Sequence, residues 1–115
     1  MTELNSLREE LRLFAMERDW DQFHSPKNLT SALAVEAAEL LEPFQWLTDE
    51  QSRNLAPGKQ SAVEDEMADV LIYLIRLADK LDVNLLDVTR RKIQRNALKY
   101  PIEKAKGSIT KYTEL

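Results

Sequence analysis

The chain has 115 residues, 43% of them hydrophobic and 31% charged, with a formal net charge of −4. That length suits one domain with a real core, and the hydrophobic content excludes wholesale disorder. Two glycines and four prolines are few for a turn-rich all-β fold, and the absence of cysteine removes disulfides, thiolate metal sites and cysteine nucleophiles. The single histidine excludes a His-x-x-x-His metal pair. Mild acidity argues against nucleic acid as a partner. No run of about 18 apolar residues marks a membrane span, and the acidic N-terminal stretch lacks the basic region of a secretory signal. These features fit a cytoplasmic protein.

Four helices are expected from apolar spacing. The first runs from about Leu4 to Trp20 on Leu4, Leu7, Leu11 and Phe14, with Ser6 and Glu9 as a capping box. Pro26 or Leu29 opens the second, which runs to about Leu47 on Leu29, Leu33, Ala37, Leu40, Phe44 and Leu47. Pro43 removes a backbone donor inside it, so a bend is expected there. Thr48 to Gln60 reads as a mobile polar connection. Ser61 and Glu64 offer a second capping box for a third helix reaching about Leu81 on Val63, Met67, Val70, Leu71, Leu74, Ala78 and Leu81. Asn84 caps a fourth, Leu85 to about Lys99, which Tyr100-Pro101 ends. Residues 102–115 read as an arm of the single domain 1–115, able to lie on a neighbouring subunit.

On the second helix, with Leu33 at zero, Glu36 falls at about 300° and Glu39 at about 240°, at the edge of the apolar stripe. Ala34, Val35, Ala38 and Trp46 occupy the other faces, so this helix is expected to be largely buried. On the third helix, with Met67 at zero, Glu66, Asp69 and Tyr73 fall at about 260°, 200° and 240°. Antiparallel packing would bring Glu36, Glu39, Glu66 and Asp69 together. Four clustered carboxylates need a counter-charge, and an all-oxygen anionic site suits Mg²⁺ or Mn²⁺. A lone Glu-x-x-Glu is usually a solvated helix face; two such pairs on strongly apolar helices weigh against that. On the fourth helix, Lys92, Asn96 and Tyr100 share one face and, beside an anionic metal site, suit phosphate oxygens and a sugar or base. Of the aromatics, Phe23 is expected in the core, whereas Trp20 and Trp46 suit either a core seal or a base stack.

The string from Arg18 through Trp20, Phe23, His24 and Asn28 to Leu29 resembles the MazG-like all-α nucleoside triphosphate pyrophosphohydrolases, in particular their dCTP pyrophosphatase branch. The likeness continues through Glu36-Ala37-Ala38-Glu39-Leu40, Phe44-Gln45-Trp46, the run from Glu66 to Leu74, then Lys92, Asn96, Tyr100-Pro101 and the closing Lys111-Tyr112-Thr113-Glu114-Leu115. The resemblance implies a four-helix bundle assembled as a dimer or a dimer of dimers. It implies Mg²⁺ held by Glu36, Glu39, Glu66 and Asp69, and attack of water on the α-phosphorus with pyrophosphate leaving. It also implies nucleotide contacts at Trp20, His24, Asn28, Trp46, Tyr73, Lys92, Asn96 and Tyr100, and dCTP or a 5-modified dCTP as substrate. The chain departs from the family pattern at Pro43, at Ala37-Ala38 and in the 48–60 connection.

Two other classes compete. A ferritin-like di-metal protein uses two Glu-x-x-His motifs, which one histidine cannot supply. A non-catalytic helical interaction module explains the apolar helices but not the acids bordering them.

Overall fold

A computed structural model describes residues 2–115, all helical and turn structure with no strand among them. The elements are α1 (Glu3–Glu17), a 3-10 turn (Asp21–Phe23), α2 (Pro26–Leu41), α3 (Asp49–Ser52), α4 (Pro57–Lys80), α5 (Leu85–Lys99), α6 (Ile102–Ala105) and a closing 3-10 turn (Tyr112–Glu114). They form two compact units that divide between Asp82 and Val83. No described helix is long and apolar enough to cross a membrane.

In the first unit, α1 is capped by the hydroxyl of Thr2, which accepts from the Asn5 amide at 3.1 Å. The start therefore lies four residues ahead of the expected Ser6 cap. The helix ends before Trp20, because Asp19 turns the chain with φ of 55°. A short polar side chain tolerates that left-handed conformation, and here the Asp19 carboxylate and carbonyl both accept from the Gln22 side chain. Ser25 caps α2 with Pro26 in its first turn, where a missing amide costs nothing. Asn28 fastens the preceding turn by donating to the Phe23 carbonyl at 2.9 Å.

Pro43 ends α2 rather than bending it. With no amide to continue the ladder, the chain passes into turns in which Phe44 and Gln45 both bond back to the Leu41 carbonyl. The 48–60 connection is also more ordered than expected. Thr48 and Gln51 form a reciprocal capping box that starts α3. Helix α4 begins at Pro57, so Ser61 and Glu64 lie inside it and cap nothing.

Helices α2 and α4 run antiparallel: His24, just before α2, meets Arg76, whereas Glu36 meets Glu66. Their packed faces differ from the apolar stripes. On α2 the covered positions are Leu29, Leu33, Glu36, Glu39 and Leu40, while Ala34, Val35, Ala38 and Leu41 stay open. The helix expected to be buried all round is thus covered on one side only. On α4 the covered seam is Val63, Glu66, Asp69, Val70, Tyr73 and Arg76, while Met67 is 57% exposed and Leu71 and Leu74 are open as well. The seam is rotated by roughly a quarter turn from the stripe. The fully buried apolar side chains are few: Ala15, Leu29, Val63, Ile75 and Ala78. Phe23, expected in the core, is 59% exposed, because the turn that carries it lies outside the helix seam.

In the second unit, Asn84 caps α5 as expected, accepting from the Asp87 amide at 3.1 Å. The segment after Tyr100 is not a bare arm. It forms α6 and folds back, so that Tyr112 meets the edge of Tyr100 at 5.8 Å and Lys99 lies over the Tyr112 ring.

Candidate active site

Carboxylate oxygens of Glu36, Glu39 and Glu66 all lie within 4.8 Å of one another on the α2–α4 seam. The spacing explains why: Glu36 and Glu39 are one helical turn apart, and the antiparallel partner brings Glu66 close to both. One oxygen each of Glu36 and Glu66 is buried and has no hydrogen-bond partner. Ionised carboxylates only accept, so no arrangement of the three acids satisfies these atoms without a proton or a cation. The carboxyl of Glu66, with burial adding to it, holds Glu36 above its usual range, and Glu36 does the same to Glu39.

Asp69 lies outside this trio. It is close enough for its charge to act on Glu36, yet it also lines an adjoining cavity of about 370 Å³ with Phe14, Trp20, His24, Tyr73 and Arg76. The four expected carboxylates are therefore a cluster of three with Asp69 as the link to the cavity. Buried, unpaired, all-oxygen donors fit a hard divalent cation, and Glu36, Glu39 and Glu66 are the residues that can hold it.

Trp20, His24 and Tyr73 come together in the cavity, with Phe14 packed edge-on against Trp20 at 5.7 Å. Trp46 does not join them: it is 86% exposed in the turns after α2. Asn28 spends its amide donor on the Phe23 carbonyl. Lys92, Asn96 and Tyr100 belong to the second unit and are exposed there. Neighbouring cations, Lys99 foremost, hold the Lys92 ammonium below its ordinary range.

The residue that sequence reasoning missed is Arg76. It is 3% exposed, the one fully buried charged side chain among the described residues. It pairs with Asp21 at 2.9 Å and Asp79 at 3.3 Å, and donates to Nδ1 of His24 at 3.3 Å. Lys80 adds a second contact to Asp21, and Arg12 grips Asp79 with two bonds of 2.5 and 2.7 Å. A signal existed: Asp69, Tyr73, Arg76 and Lys80 follow one another at three- and four-residue intervals along one helix face.

This network sets an acid limit on stability. Burial, then the charge of Arg76, holds His24 below 6.5, while Lys80 and Arg76 depress Asp21, and Arg12 depresses Asp79. Each depressed pKa means that the unfolded chain binds the proton more tightly, so the contribution is complete above the unfolded value and fades as pH falls. Glu36 and Glu39 are shifted upward and act in the opposite sense, their repulsion easing on acidification. The histidine part is isolated by comparing wild type with His24→Gln in chelator. The difference in melting temperature is expected to move against the wild type as pH drops from 7 to 5, and a pH-independent difference would contradict it.

The sequence profile of the MazG-like family matches residues 31–115. The chain is 44% identical over 104 residues to dCTP pyrophosphatase 1 of Bos taurus and 45% identical to that of Homo sapiens. These alignments cover 89% of the chain and 62% and 61% of the two relatives, so the chain spans about three-fifths of their length. The crystal structure of a pyrophosphatase from Archaeoglobus fulgidus DSM 4304 superposes with a TM-score of 0.82 at 38% identity, covering 88% of this chain and 94% of the other.

Proposed function

Because the chain belongs to the MazG-like family, we propose that it is a divalent-cation-dependent nucleotide pyrophosphohydrolase. It would cleave a (deoxy)nucleoside triphosphate, with dCTP or a 5-modified dCTP preferred, to the monophosphate and pyrophosphate. The observation that carries this reading is the three-carboxylate cluster with its two unpartnered buried oxygens, next to an aromatic-walled cavity. The dCTP pyrophosphatase relatives support the choice of substrate.

In this reading Glu36, Glu39 and Glu66 would hold Mg²⁺, or Mn²⁺, with Asp69 as the fourth acid. The bound ion supplies charge neutralisation on phosphate oxygens and a water of lowered pKa. Glu36 or Glu39, whichever keeps a free oxygen, orients the attacking water and accepts its proton. The water oxygen bonds to the α-phosphorus, and the bridging P–O bond breaks with its electrons leaving on pyrophosphate. Trp20, His24 and Tyr73 would receive the base, Asn28 would act by fastening the turn that precedes α2, and Trp46 would contact the nucleotide only from outside the cavity. Lys92, Asn96 and Tyr100, on one face of α5 and its C-cap in the second unit, would offer a cation, an amide and a phenol to phosphate and sugar. Such positioning and charge neutralisation are most of what phosphoryl transfer asks of a protein.

The test is a panel of nucleoside triphosphates assayed for pyrophosphate and monophosphate with Mg²⁺ and with Mn²⁺. Release from dCTP or a 5-modified dCTP is expected to lead the panel. No product from any base with either ion would leave the helical interaction module as the better reading.

The open apolar faces support a homodimer or homotetramer. Met67, Leu71 and Leu74 of α4 and Val35 and Leu41 of α2 are large apolar side chains left exposed, the kind of surface that a second subunit covers. Light scattering is expected to return a multiple of the 13.3 kDa chain mass; a clean monomer at micromolar concentration would count against it.

A further inference from the structure

We propose that Arg76 is a positioning residue: it locks His24 as the neutral ring protonated on Nε2, so that the cavity offers an N–H donor to an acceptor edge of the bound base. The proposal rests on the reading of that cavity as the base site. A guanidinium has five donors and no acceptor. Its Nε and Nη2 both approach His24 Nδ1, each at 3.3 Å. Nδ1 must therefore be the acceptor, and in a neutral ring the proton is left on Nε2.

Arg76 is itself held in place. Asp21, on the 3-10 turn, accepts from its Nη2, and Asp79, one turn along α4, accepts from its Nη1. Lys80 and Arg12 fix those two carboxylates in turn. The bracing spans three elements, and it converges on a ring that both accepts from Arg76 and lines the cavity. A purely structural ion pair between Arg76 and Asp79 would need neither Asp21 nor the histidine. The consequence for the ligand is chemical. A carbonyl oxygen or an unprotonated ring nitrogen is accepted opposite His24, and an amino group in that place meets a donor and is disfavoured.

The single histidine makes the test direct. In the full chain with ¹⁵N-labelled histidine, ring-nitrogen shifts near pH 8 are expected to report one tautomer, Nε2–H. Arg76→Lys keeps the charge but loses the planar fork, and is expected to give averaged signals from both tautomers. For the preferred nucleotide, Arg76→Lys is expected to raise KM roughly three- to tenfold, the worth of one neutral hydrogen bond, with kcat little changed. In a His24→Ala background the same substitution is expected to change KM by less than about twofold. Arg76→Gln, which keeps a donor without charge, is read the same way should the lysine variant not fold.

An Nδ1–H tautomer in the wild type, or an equal KM factor in both backgrounds, would overturn the role of Arg76. A wild-type Nε2–H signal that does not move on adding saturating non-hydrolysable nucleotide, together with no turnover of any triphosphate, would overturn the base-site reading beneath it. The two failures are therefore distinguishable.

Discussion

Glu66→Gln, and separately Glu39→Gln, is expected to lower pyrophosphate release by at least about a hundredfold, since even residues that only support metal ligands cost ten- to a hundredfold. The same variants are expected to melt higher than wild type in EDTA. Both effects come from one geometry. Three carboxylates within 4.8 Å repel one another when no cation lies between them, and a glutamine in the trio removes a charge and adds a donor for an orphaned neighbour. Added Mg²⁺ should then reverse the order: wild type gains stability by binding it, and the variants gain little. Asp69→Asn is expected to lose turnover too, but with a smaller gain in EDTA, because Asp69 lies outside the trio. A Glu39 or Glu66 variant with near-wild-type turnover, or one that melts lower in chelator, would refute the assignment.

Arg76→Met is expected to destabilise the protein by about 3 kcal/mol, the lower end of what breaking a buried ion pair costs. The charge left behind is that of Asp79, whose side chain is 8% exposed. Two features keep the loss from being larger. Arg12 remains on Asp79, and the network borders an open cleft of about 670 Å³ that admits water to Asp21, Asp79 and Lys80. Arg76→Met combined with Asp79→Leu removes both charges and is expected to recover part of the loss. Urea unfolding of the single and double variants checks this; a double variant no more stable than Arg76→Met would mean that the pair is not the source.

The helices were legible because their ends are spelled in side chains: Pro26, one of the two openings expected for α2, and Asn84 for α5 both act as their sequence suggests. The acidic pairs were legible for the same reason, since i and i+3 positions fall on one face whatever the helix packs against. Which face becomes the seam was not legible. Met67, Leu71 and Leu74 are the obvious apolar row, yet the chain covers Glu66, Asp69 and Tyr73 instead, because seam choice follows the partner helix and not one helix alone. Capping was misread where two candidates competed: Thr2 pre-empted Ser6, and Thr48-x-x-Gln51 was a capping box in plain view within a stretch read as loop. Arg76 was hidden by its type, because an arginine on an amphipathic helix is by default a surface residue, and two of its partners, His24 and Asp21, lie 52 and 55 residues away in sequence.

Two approaches mark the register of the antiparallel pair at separate heights, the hydrogen bond of His24 with Arg76 and the juxtaposed carboxylates of Glu36 and Glu66. Adding or deleting one residue between those heights would turn everything beyond it by about 100° and shift it by about 1.5 Å, parting one contact whenever the other is kept. The stretches 24–36 and 66–76 are thus fixed in length to the residue. The chain between Leu41 and Pro57 carries neither contact and is the natural place for the molecule to grow or shrink.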